Sequence, residues 1–142
     1  MQDEVFPLRF ERAPAAVLTG NARPVLAEVA ALAERFAESG AGGAVDLAAM
    51  PLSPADVDWL RGTLGRGEVS AVIEAAGASS VEETAFAGVW WVTHRNPLGE
   101  VVAELIEVAA VPAIIAAARE DAAAGAARLA AIVAAPAAEA LA

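Results

Sequence analysis

The 142-residue chain has no cysteine, no lysine and no tyrosine, and its single histidine is His94. Each absence removes a class of chemistry. Without cysteine there is no disulfide, no thiolate metal site, no iron–sulfur ligation and no cysteine nucleophile. One histidine beside a turn signal makes no catalytic triad. No P-loop, dinucleotide fingerprint, nucleophile elbow or HExxH motif occurs. All nine basic residues are arginine, scattered among 19 acids, for a formal net charge of −10. That balance gives no electrostatic footprint for nucleic acid and disfavours an anionic membrane. The longest uncharged apolar run, Val108 to Ala118, is interrupted by Pro112 and falls short of the roughly 20 residues that span a bilayer. The first residues are charged and lack the continuous apolar core of an export signal. A cytoplasmic protein with neither a membrane nor a nucleic-acid partner is expected.

What is present is alanine and regular patterning. The apolar fraction is 58%, but 40 of those residues are alanine, so strongly hydrophobic content is ordinary. The chain is too apolar for a disordered segment and has the size of one domain. Residues 1–20 read as an N-terminal arm with Val5, Phe6, Leu8 and Phe10. Residues 24–38 read as a helix: Pro24 suits the first turn, and Val25, Val29, Leu32 and Phe36 form one stripe. Ala44 to Leu52 reads as a short strand. Ser53-Pro54-Ala55-Asp56 is a helix start, followed by Val57, Leu60 and Leu64 on one face. Four β-rich runs follow: 70–76, 81–87, 88–94 and 101–109. Turns are expected at 77–80 and at His94 to Gly99. Ala113 to Ala123 reads as a helix with a break near Gly125, and residues 136–142 as a poorly ordered Ala-rich tail. No crossover separates the runs, so the pairing is antiparallel. The predicted fold class is α+β: an antiparallel sheet of three to five strands with helices on one face, in a single domain over residues 21–135.

Two groups of residues invite a functional reading. Glu74, Glu82, Glu83, Glu104 and Glu107 lie in strands, where glutamate is normally depleted. They read either as a solvated face or as an acidic docking surface for an Arg-bearing partner. Glu104 and Glu107 are three apart and point to opposite faces, which argues against a shared metal. Trp90 and Trp91 are adjacent, so one packs under the helices. The other is either covered or exposed as a binding anchor.

The string Leu64-Gly65-Arg66-Gly67-Glu68-Val69-Ser70, then Glu83-Thr84, Gly88-Val89-Trp90-Trp91-Val92, Glu104-Leu105-Ile106-Glu107-Val108 and Val111-Pro112, resembles the NiFe-hydrogenase expression/formation proteins of the HupH/HyaF type. Asp46-Leu47 and Pro51 to Asp56 resemble that family too. The resemblance runs from about Val25 to Ala118. It implies an accessory chaperone in maturation of an uptake hydrogenase, acting on the small-subunit precursor before export. It supplies no catalytic residues. Typical members are roughly twice as long with two related units, so this reads as a single-unit member, expected to pair as a homodimer. The expectation is therefore a non-enzymatic protein without cofactor or metal. Partner binding is expected through Trp90, Trp91, Glu83, Glu104 and Glu107. The alternative is carboxylate-based metal handling for nickel insertion.

Overall fold

The computed structural model describes residues 17–137. The described residues divide into two compact units, 17–112 and 113–137. The expected arm lies mostly outside the described residues, as does the tail beyond Ala137.

In the first unit, helix α1 spans Ala22–Ser39 and buries Ala22, Val25 and Val29 at three- and four-residue intervals. It starts before the expected Pro24. The first helical turn needs no intrahelical N–H, so proline is tolerated at its third position. Gly40, at φ 79°, ends the helix as expected, its N–H donating to the Phe36 carbonyl at 2.8 Å. Strand β1 is only Gly43–Asp46. The predicted strand does not reach Leu52, because the Asp46 carboxylate accepts the Ala48 N–H at 2.9 Å and turns the chain into a 3₁₀ segment, Leu47–Ala49. Helix α2, Pro54–Leu64, starts where the sequence placed it, with Ser53 as N-cap and a full capping box to Asp56.

Strands β2 (Ser70–Glu74), β3 (Ala78–Glu83), β4 (Val89–Arg95) and β5 (Val101–Val108) complete a five-stranded sheet in the order β1-β5-β4-β3-β2. All neighbours are antiparallel. The β2–β3 turn comes earlier than predicted, at Ala75 to Gly77, with Ala76 at φ 43° and Gly77 at φ 124°. A side chain at Gly77 would put its Cβ 2.2 Å from the Arg95 carbonyl oxygen. Helices α1 and α2 pack on one face, sharing a core with Val45, Val89, Trp91, Ile106 and Val108. The fold class is thus α+β, as read from the sequence.

In the second unit, helix α3 spans Arg119–Ala134 rather than starting at Ala113, and it runs through Gly125 unbroken. Glu120 and Asp121 in its first turn complement the helix dipole at that start. Among the described residues, no helix is long and apolar enough to cross a membrane.

Asp56 ties the chain before α1 to α2. It is fully buried. Its carboxylate accepts the Thr19 N–H at 2.9 Å, the Thr19 hydroxyl, and the Ser53 N–H at 2.8 Å. Ser53 Oγ in turn donates to the Val17 carbonyl, and Asn21 Nδ2 donates to the Pro51 carbonyl at 2.9 Å. The Thr19 hydroxyl is the largest cause lowering the Asp56 pKa to about 2, outweighing desolvation. A depressed carboxyl contributes stability above its unfolded pKa, and that contribution disappears as pH falls through the folded value. Acid unfolding should therefore steepen between the ordinary aspartate range and pH about 2. Asp56→Asn should flatten that limb and lower the urea midpoint. The exposed control Asp58→Asn should change neither.

Candidate functional site

Strand β4 is central, and Val89 through Thr93 are all buried. Because side chains alternate, Val89, Trp91 and Thr93 face the helices while Trp90 and Val92 face the other way. Trp91 joins the core beneath α1 and α2. Trp90 joins a second cluster with Val81 and Val92, against which Ile73 and Leu105 pack. Both sides of this strand are thus interior.

That geometry divides the five residues expected to form one partner surface. Trp90 sits opposite Glu83 and Glu107, whereas Trp91 sits opposite Glu82 and Ile106. Trp90, Glu83 and Glu107 therefore share one face, and Trp91 and Glu104 share the other. Glu104 and Glu107 do face oppositely, as their spacing predicts. Neither indole is an exposed anchor, at 7% and 2% relative exposure for Trp90 and Trp91. The indole N–H of Trp90 donates to the Ala109 carbonyl at 3.0 Å, and that of Trp91 to Glu104 Oε2 at 2.7 Å.

Glu83 and Thr84 have local work. The Glu83 carboxylate accepts the Glu68 N–H at 3.0 Å, and its carbonyl accepts the Gly67 N–H at 2.8 Å. A Cβ on Gly67 would lie 2.5 Å from Glu83 Oε1 and from the Thr84 carbonyl oxygen, so only glycine fits this approach. The buried Thr84 hydroxyl donates to the Val89 carbonyl at 2.8 Å and accepts the Phe86 N–H at 3.2 Å. This orders the β3–β4 loop and presents Phe86, which is 53% exposed.

Two features follow that sequence reading did not single out. The first is a chain of charge across the helix face. The Arg61 guanidinium stacks over Trp91, 4.5 Å from the ring centroid. Arg61 also pairs with Glu82, which pairs in turn with Arg66. The Arg61 hydrogen bond holds the Glu82 carboxyl below its usual range despite partial burial, and Arg66 adds to the effect. The second is an open groove of about 380 Å³, almost wholly apolar. Leu26, Ala30 and Ala33 of α1 line it, with Leu64 of α2, Val89 and Phe86. Phe86 falls inside the run 81–87 that reads as β, two residues before Gly88, so no sequence signal marks its exposure in a loop. Among the described residues, no group of three or more His, Cys, Asp or Glu side chains could hold a metal ion.

The family model described as HupH hydrogenase expression protein, C-terminal conserved region, matches residues 19–136. The chain belongs to the HupH hydrogenase expression protein family. It is 35% identical over 103 residues to the hydrogenase expression/formation protein HoxQ of Azotobacter vinelandii, covering 71% of this chain and 36% of that protein. It is 29% identical over 115 residues to the hydrogenase expression/formation protein HupH of Rhizobium leguminosarum bv. viciae, covering 81% and 41%. A solved structure, the hydrogenase expression protein HupH from Thiobacillus denitrificans, superposes with a TM-score of 0.76 at 47% identity, over 80% of this chain and 94% of that one. The chain spans 36% and 41% of these two curated relatives. Sequence and fold together thus support the same family.

The family-typical residues of the central strands read here as structural. Trp91→Ala should lower the unfolding free energy by about 3–5 kcal/mol, as for other buried aromatics. Arg61→Ala, which removes the stacked cation, should cost about 1–2 kcal/mol. Urea unfolding at neutral pH measures both.

Proposed function

We propose that this chain acts in hydrogenase maturation as a non-enzymatic chaperone, binding the small-subunit precursor of a NiFe hydrogenase before export. The observation that carries the reading is the apolar groove between α1 and α2, with Phe86 at its wall. Monomeric proteins rarely leave such a concavity open without using it. Its shape suits an apolar helical or extended segment of another chain. The exposed outer side of α1 carries Glu28, Glu34 and Glu38, and the whole chain is strongly acidic. A segment with an apolar stretch and basic flanks matches both features. The binding surface proposed here replaces the one read from the tryptophans, whose indoles are interior. Carboxylate-based nickel handling has less in its favour, because Glu82, Glu83 and Glu104 already accept hydrogen bonds from protein donors.

The test is titration calorimetry with the small-subunit precursor, with and without its export segment. Phe86→Ala should weaken binding about thirtyfold, the loss typical of a central aromatic anchor of about 2 kcal/mol. Ala30→Glu should do the same while the melting temperature stays unchanged. Full affinity in both variants would remove the groove from the reading. No binding of either precursor form at low salt would overturn the chaperone assignment itself.

A further inference from the structure

Among the described residues, strand β2 ends the sheet and has no strand paired on its outer side. Edge strands are ordinarily blunted by lysine, proline, a bulge or a central charge. This one has none. Its run Ser70-Ala71-Val72-Ile73 is regular and uncharged, and Glu74 closes it. The hydrogen-bond phase identifies which groups face outward. The Ala75 N–H donates to Gly77 and the Glu83 N–H donates to Val69, so odd-numbered residues of this segment bond inward to β3. The N–H and C=O groups of Ser70, Val72 and Glu74 therefore point away from the sheet. Their side chains stand on the helix face, with Val72 63% exposed.

We infer that this edge pairs with the same edge of a second copy, antiparallel and centred on Val72, to make one continuous ten-stranded sheet. The inference does not rest on the groove or on the chaperone reading. Three features select the second copy and this register. First, a strand pairing antiparallel with itself about Val72 sets Ser70 opposite Glu74 of the other copy and Val72 opposite Val72. Every outward backbone group then meets another outward group. Second, charges fit. In this register no carboxylate faces a carboxylate, whereas a shift of two residues toward the loop sets Glu74 against Glu68. Third, Ser70 lies beside Glu82 in the β2–β3 register, and Arg66 is bound to Glu82 with its side chain 69% exposed. Glu74 of the second copy comes down on the far side of Ser70, so Arg66 bridges Glu82 and that incoming carboxylate. Two-fold symmetry makes this contact twice. On the opposite face Ala71 meets Ile73 of the other copy. The contact is small beside a standard interface, so the dimer forms reversibly with concentration.

Sedimentation equilibrium tests this. The unmodified chain should move from its monomer mass of 14.3 kDa toward twice that value between micromolar and millimolar concentration. Val72→Arg should leave it monomeric with an unchanged melting temperature. Glu74→Arg sets arginine against Arg66 of the other copy, and Arg66→Glu sets glutamate against Glu74. Each alone should weaken association about tenfold or more. An equimolar mixture of the two variants restores opposite charges at both contacts, and should recover the dimer. A monomer at every concentration, or a dimer that survives Val72→Arg, overturns the proposal. Failure of the mixture to exceed its components overturns the register.

Discussion

A central strand with no solvent side sets the terms for this fold. Val89 through Thr93 are buried in succession, so β4 packs side chains on each face, under the helices on one and among its strand neighbours Val81, Ile73 and Leu105 on the other. Two adjacent tryptophans can be accommodated only in that way, because alternation sends one indole to each side. Each indole then needs an acceptor for its N–H, since a buried unpaired donor is costly. The Ala109 carbonyl and Glu104 provide them. The position of β5 is thereby coupled to β4 through side chains as well as through the backbone ladder. Helices α1 and α2 then close the Trp91 side, and Arg61 covers the ring itself.

The family-typical residues acquire distinct meanings against this framework. Gly67 allows the loop after α2 to press against the end of β3. Glu83 holds that loop by its carboxylate and carbonyl together. Thr84 shapes the turn that carries Phe86, and Gly88, at φ 82°, returns the chain into β4. These are adjacent tasks around one corner of the sheet. The corner forms one wall of the groove between the helices. These residues thus bear more directly on the presentation of Phe86 than on any reactive group.

Much of this was legible in the residues. The Ser53–Asp56 helix start, the Gly40 end of α1, the α+β class and the antiparallel pairing all depend on local chemistry or on alternation, and local patterns report them. Boundaries failed where a side chain intervened. Asp46 turned β1 into a 3₁₀ segment, and acidic residues at 120 and 121 placed the start of α3. The site was less legible for a different reason. Glutamates in strands and a tryptophan pair look like surface features when read one residue at a time. Their hydrogen bonds to Trp91, Glu68, Arg61 and Arg66 cross between elements, and no spacing rule reports such partners. Phe86 is the reverse case, an ordinary residue made prominent by its loop.

The Thr19–Asp56 contact bears on how this region stands as a module within longer relatives. The family match begins at residue 19, the residue that supplies two of the donors to the buried carboxylate. The natural boundary of the unit is therefore set by a charge that needs its neutralising dipoles, not by the first turn of α1. A junction upstream of Val17 leaves in place the donors to the Asp56 carboxylate and the Ser53 bond to the Val17 carbonyl. A junction placed inside the short stretch from Thr19 to Asn21 would leave an anion sealed in the core with too few donors. Excision and grafting of the unit thus have a definite permissible seam.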